Sequence, residues 1–120
     1  MNPLQGYYVE IDTKKRTAKV VHVPLGFNFK AMLEYQLGAW TEEVMSVKGV
    51  KIAVVWNDTI KGKYRTLKVS NEGKEMFGKV FLIEKSDNDY ITTSKEIAEE
   101  AEKLWKQTLL SLKAQDEDEE

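Results

Sequence analysis

The sequence predicts an α+β fold: a curved antiparallel sheet of five to six strands, one short helix, and a C-terminal amphipathic helix packed on the sheet. Three observations carry this. Gly6 to Val23 reads as two strands rich in aromatic and β-branched residues, joined by a polar turn. Val80-Phe81-Leu82-Ile83 is an unbroken apolar run, which suits a strand buried on both faces better than one with a wet side. Finally, Ile97, Ala101, Leu104, Trp105, Thr108, Leu109 and Leu112 recur at steps of three and four, giving one apolar stripe over about four turns.

In the first strand Tyr7, Val9 and Ile11 share one face, and Tyr8 and Glu10 the other. Asp12 can bond the backbone of the turn Asp12-Thr13-Lys14-Lys15. The return strand alternates Ala18, Val20 and His22 with Lys19, Val21 and Val23, and Pro24 ends it because proline offers no ladder donor. Asn28 is a good N-cap and Gly38 a good left-handed C-cap for a helix carrying Phe29, Met32, Leu33 and Leu37 on one face. At about ten residues that helix depends on packing against the sheet. Trp40 to Val47 alternates as a third strand, Lys48-Gly49 turns, and Val50 to Trp56 is a fourth, mostly apolar strand.

Asn57-Asp58 opens another turn, and Ile60 to Val69 reads as a strongly basic strand or ragged hairpin before the loop Ser70-Asn71-Glu72-Gly73. After the Val80–Ile83 strand comes the turn Ser86-Asp87-Asn88-Asp89. Thr93 and Glu96 then stand at capping-box spacing ahead of the last helix. The acidic run 116–120 can bury nothing, so the expected arrangement is one domain over residues 1–115 and a disordered acidic tail over 116–120.

Composition narrows the function classes. No apolar run approaches the roughly 20 residues that span a bilayer, and residues 1–6 lack the basic and apolar regions of a secretory signal. The absence of cysteine removes disulfides, thiolate metal sites and cysteine nucleophiles, and fits a reducing cytoplasm. The net charge of −2 hides a split. Residues 1–85 hold 14 Lys or Arg against 9 Asp or Glu, a net +5, whereas residues 86–120 hold 4 against 11, a net −7. Such a split accompanies nucleic-acid contact or an acidic interaction segment, and equally a solvated surface.

No catalytic set emerges. His22 is the only histidine, which excludes histidine-based metal clusters and triads. Glu42 and Glu43 are adjacent on a strand and point to opposite faces, the wrong arrangement for a shared acid–base pair. Asp87 and Asp89 could hold a divalent cation between them, but turn chemistry also accounts for both. No glycine-rich phosphate loop exists, and no cofactor or metal site is expected. In the basic segment Lys61, Lys63 and Arg65 alternate along one strand face with Tyr64 opposite and Lys68 beyond. Cations for phosphates and a ring for stacking suit a nucleic acid or a nucleotide. The same lysines would also guard a sheet edge against pairing. Trp40, Trp56 and Trp105 each sit in an apolar pattern and read as core. On the acidic side, Glu99, Glu100 and Glu102 with Asp116, Glu117 and Asp118 form a candidate protein-interaction surface, or an ordinary solvated helix face.

The closing third, Phe77-Gly78-Lys79-Val80-Phe81-Leu82-Ile83, then Asp89-Tyr90-Ile91-Thr92-Thr93-Ser94-Lys95-Glu96 and Trp105, resembles a family of small phage- and plasmid-borne proteins known as domain of unknown function 3846. The resemblance extends over most of residues 6–105 through the hairpin, the short Leu-bearing helix and the strand pair. It implies a mobile-element setting and no assigned chemistry. Three readings follow. The first is a non-enzymatic accessory protein that binds a host protein and inhibits a defence system. The second is a nucleic-acid or nucleotide binder using the basic strand. The third is a divalent-metal hydrolase built on Asp and Glu.

Overall fold

A computed structural model of the chain describes residues 5–12, 15, 17–59, 67–68, 75–76 and 78–118, with the backbone path alone for residues 5, 67–68, 75–76 and 107–118. The elements in order are β1 (Gln5–Asp12), β2 (Thr17–Pro24), α1 (Phe29–Leu37), β3 (Thr41–Val47), β4 (Val50–Trp56), β5 (Leu67–Lys68), β6 (Glu75–Met76), β7 (Lys79–Ser86), β8 (Asp89–Ile91) and α2 (Lys95–Asp118). Six strands form one curved, open antiparallel sheet in the order β2-β1-β7-β4-β3, with β8 also on β7. The small β5–β6 pair stands apart from it. The fold class read from the sequence is the one observed.

β7 is the middle of the sheet, and the apolar run at its heart is buried on both sides. Val80 and Leu82 enter a core with Val9, Ile11, Ile52, Val54 and Trp56 beneath α2. Phe81 and Ile83 enter a second core with Tyr8, Ala53, Val55 and α1. The sheet is therefore sandwiched between one helix on each face. A strand with no wet side has no place for a polar residue, which is why the alternation seen in β1 and β2 is missing from residues 80–83.

α1 forms where its caps and its apolar face agree. Asn28 Oδ1 accepts from Ala31 N at 3.0 Å, and Gly38, at φ +77°, donates its N–H to Glu34 O at 2.9 Å. Phe29, Leu33 and Leu37 are buried on the sheet. Tyr8 receives the helix start, with its ring edge-on to Phe29 at 5.5 Å and tilted to Phe81 at 6.2 Å. At the other end Asn57, buried just past β4, donates Nδ2–H to Leu37 O at 2.8 Å and accepts from Thr59 N at 2.8 Å. Asn57 thus closes the last turn of α1 as well as making its own turn.

α2 departs from the sequence expectation in two ways. Its cap is Ser94, not Thr93: Ser94 Oγ accepts from Ile97 N at 3.2 Å, and Ser94 O accepts from Ala98 N at 3.0 Å. Thr93 is held extended instead, exchanging backbone hydrogen bonds with Tyr7 at 3.0 and 2.9 Å, and its Oγ1 is buried with no partner. Glu96 pairs with Lys48 at 3.3 Å rather than reaching back to a cap. The second departure is Leu104, which is 43% exposed. The buried arc of α2 is Ala98, Ala101 and Trp105. At about 100° per residue Leu104 falls about 90° from the middle of that arc. Trp105 is buried in the same core as Val80 and Leu82, as its spacing predicts. The side chain of Leu112 lies outside the described residues. The helical backbone runs on through Asp116, Glu117 and Asp118, where the composition predicts a tail beginning at residue 116.

Near its start β1 leaves β7 and yields that edge to β8, which continues along β7 from Glu84 to Ser86. The chain comes so close here that a Cβ on Gly6 would fall on the Thr92 side chain, so only glycine fits.

Two predictions follow from the docking of α2. Trp105→Ala is expected to cost about 3–5 kcal/mol in denaturant unfolding, and an unchanged midpoint would show that α2 is not held by this ring. Ser94→Ala is expected to cost about 1 kcal/mol, while Thr93→Val is neutral or stabilising because it removes an unsatisfied buried hydroxyl. The opposite ranking would return the cap to Thr93.

Candidate protein-interaction face

Strand alternation places Glu42, opposite Val55, on the α1 side of the sheet, and Glu43, opposite Val54, on the α2 side. The two carboxylates point apart, as adjacent strand residues must. Glu42 is the hub of a half-buried polar belt. Its carboxylate accepts from Lys85 Nζ and from Tyr90 OH. Trp40 Nε1 donates to Tyr90 OH at 3.2 Å, and Lys85 Nζ lies 5.8 Å from the centre of the Tyr90 ring. Lys85 and Tyr90 face each other across the β7–β8 hairpin, so the belt ties that hairpin to the first residues of β3.

The electrostatics suit a clamp. Burial works to raise the Glu42 carboxyl, but the hydrogen bonds from Lys85 and Tyr90 and the Lys85 charge outweigh it and hold the group below its ordinary 4.5. Burial, together with the hydrogen bond that Tyr90 gives to a carboxylate, pushes the phenol up to about 12, against the opposing donation from Trp40. A phenol this hard to ionise and a carboxylate already engaged by two donors are poorly matched to proton transfer near neutrality.

The outer surface of the α1 layer is less polar. α1 turns Phe29, Leu33 and Leu37 onto the sheet and leaves Tyr35 81% exposed. Leu25, ahead of the helix, is 50% exposed. Val44 of β3, opposite Ala53 and so on the α1 side, is 48% exposed. Tyr35 and Val44 thus leave two large apolar side chains exposed on this side, on the same face of the sheet as the Glu42–Lys85–Tyr90 belt. Exposed aromatic and aliphatic side chains with a polar neighbour are of the kind enriched at protein contacts.

The residues singled out by sequence fall elsewhere. Lys61, Lys63, Tyr64 and Arg65 lie outside the described residues, and Lys68 is described only as backbone in β5. Glu99 is exposed and Glu100 half-buried on α2. Glu102 is half-buried and occupied: it accepts from Val20 N at 3.1 Å and pairs with Lys106 at 3.6 Å. Asp116, Glu117 and Asp118 continue the helical backbone. Asp87 and Asp89 are exposed at their turn, where Asp87 takes φ +55°. Among the described residues no group of three or more His, Asp or Glu is placed to hold a metal ion. His22 is exposed, with its ring 6.4 Å from that of Tyr7.

Tyr35 had a legible signal, since it falls off the Phe29–Leu33–Leu37 stripe of a short helix. The Glu42 belt had none, because its members are 43 and 48 residues apart. No family model matches the chain, and no curated protein or solved structure does either. No helix of the described residues is long and apolar enough to cross a membrane.

Because the folded value of Glu42 lies below its unfolded value, its contribution to stability is present above pH 4.5 and is lost as pH falls through the folded value. Glu42→Gln is therefore expected to cost about 1.5–3 kcal/mol at neutral pH. The gap to the parent should close as unfolding is measured at lower pH, and a gap constant with pH would remove the ionised carboxylate from this role. Tyr90 has the opposite sense. Its raised value adds stability below pH 10 that is lost between there and about 12, and Tyr90→Phe should abolish that alkaline loss.

Proposed function

We propose that this chain is a small non-enzymatic accessory protein of a phage or mobile element, which acts in the host cytoplasm by binding a host protein, such as a component of a defence system. The observation that carries the reading is Tyr35, 81% exposed on the outer face of α1, with Val44 exposed on the same side of the sheet and Leu25 exposed in the turn ahead of α1. Large apolar side chains left in water on one side of a small domain mark a contact surface, and tyrosine is among the residues that dominate binding energy there. The family resemblance of residues 77–105 supports the mobile-element setting.

A second reading, nucleic-acid or nucleotide binding through Lys61, Lys63, Tyr64, Arg65 and Lys68, is favoured by their alternate spacing and by the net +5 of residues 1–85. It requires an affinity that falls steeply with salt.

Capture of a host protein by the immobilised chain, repeated with Tyr35→Ala, separates the two. The reading expects a specific partner whose affinity falls by about 2 kcal/mol or more in the variant, with an unchanged melting temperature because Tyr35 is exposed. Equal binding by the variant would remove the α1 face. Salt-sensitive retention of nucleic acid without a protein partner would favour the second reading.

A further inference from the structure

We propose that the chain pairs with a second copy of itself through the outer edge of β3, joining two sheets into one about a two-fold axis at Val44. β3 is terminal in the sheet order. Its hairpin with β4 closes on the pair Val47 and Val50 through Lys48 and Gly49, at φ +50° and +82°. That is a two-residue turn with both φ positive. The pair next to such a turn is hydrogen-bonded, and bonded pairs then alternate along the ladder. Val47, Met45, Glu43 and Thr41 therefore bond to β4. The N–H and C=O groups of Glu42, Val44 and Ser46 point away from the sheet, and no backbone group among the described residues takes them up.

The strand is self-complementary about its middle residue. With Val44 on the axis, Val44 faces Val44 of the second copy, Glu42 faces Ser46, Glu43 faces Met45 and Thr41 faces Val47. All three outward residues then fall in hydrogen-bonded pairs, and no acidic residue faces another. The Glu42 charge, nearest the new ladder, is already countered by Lys85 on the α1 side. The 48% exposed Val44 side chain gains an apolar neighbour.

The opposite edge of the sheet shows what a guarded strand looks like in this molecule. On β2, Val20 N donates to Glu102 of α2, Lys19 is exposed, and the strand ends in Pro24. Between Thr41 and Val47 there is no lysine, arginine or proline. A seven-residue edge strand without those residues invites pairing. The contact is small, so association should depend on concentration.

The test uses the full chain. Sedimentation equilibrium over a wide concentration range should show the mass rising from 13.8 kDa toward twice that value. Val44→Lys, which sets two ammonium groups against each other on the axis, should lose the dimer while keeping the melting temperature that the parent shows at concentrations where it is monomeric. The chain has no cysteine, so single substitutions report the register directly. Cα atoms of a hydrogen-bonded antiparallel pair lie about 5.5 Å apart, within the roughly 4.4–6.8 Å that a disulfide spans. Mild oxidation should therefore crosslink Val44→Cys chains, and leave Ser46→Cys chains, whose cysteine faces Glu42, uncrosslinked. A constant monomer mass, equal crosslinking of the two variants, or a Val44→Lys dimer as strong as the parent would overturn the proposal. So would a monomer whose β3 edge takes up an extended peptide instead.

Discussion

The main sheet and both helices are arranged around a stretch of strand that has no contact with water on either face. The side chains of β7 from Val80 to Ile83 are at most 2% exposed, and successive ones enter different cores. β1 and β8 share one edge of the strand, and β4 holds the other. Removing either helix would uncover half of the run. At about 1.5–3 kcal/mol for each large apolar side chain returned to water, that loss is comparable to the whole stability of a domain this size. The two helices are thus required by one strand, although they never touch the same core.

The start of α2 shows how such a constraint sets local structure. Thr93 could cap a helix, but the Tyr7 bridge claims its backbone for the sheet, and the helix begins one residue later at Ser94. The cost is one buried hydroxyl without a partner. Glycine at position 6 is needed for the same reason, since β1 and the approach to α2 must come within a side chain's width. Ala98 and Ala101 then let the helix axis approach the sheet, and Trp105 fills the space beyond them. Small residues at the near end and a large one at the far end make an inclined helix the natural way to cover a twisted sheet.

The parts of this fold that depend on neighbours in sequence were legible. The Asn28 and Gly38 caps, the Asp12 bond to Lys15 N, the Lys48-Gly49 turn and the double-sided burial of residues 80–83 each follow from a few adjacent residues. What failed was choice between near-equal local options. Thr93 and Ser94 are both good caps, and a long-range bridge decided between them. Three–four spacing put both Ala101 and Leu104 on the stripe of α2, whereas packing buries Ala98 and Ala101 and leaves Leu104 exposed. The polar belt beside the candidate interaction face was hidden for a different reason. Glu42, Lys85 and Tyr90 come from three strands, and only the order and register of the sheet bring them together.

Covering both faces of the sheet leaves the two surfaces proposed for partners, the outer α1 side and the β3 edge, and they follow different rules. The outer α1 side offers side chains, so its character is a matter of residue type and could be changed residue by residue. The β3 edge offers backbone groups, and residue type does not decide which of them face outward. The turn does. With two residues between Val47 and Val50, parity directs the N–H of Val44 away from β4. An odd change in the phase of that ladder would direct the N–H groups of Glu43 and Met45 outward instead, and the two-fold match at the strand's middle residue would lose its hydrogen bonds. Val44 stands in both surfaces, through its side chain on one and its amide on the other. A partner gripping the side chain and a second copy bonding the amide would therefore meet at the same residue, which makes the geometry of one short turn relevant to whatever this protein binds.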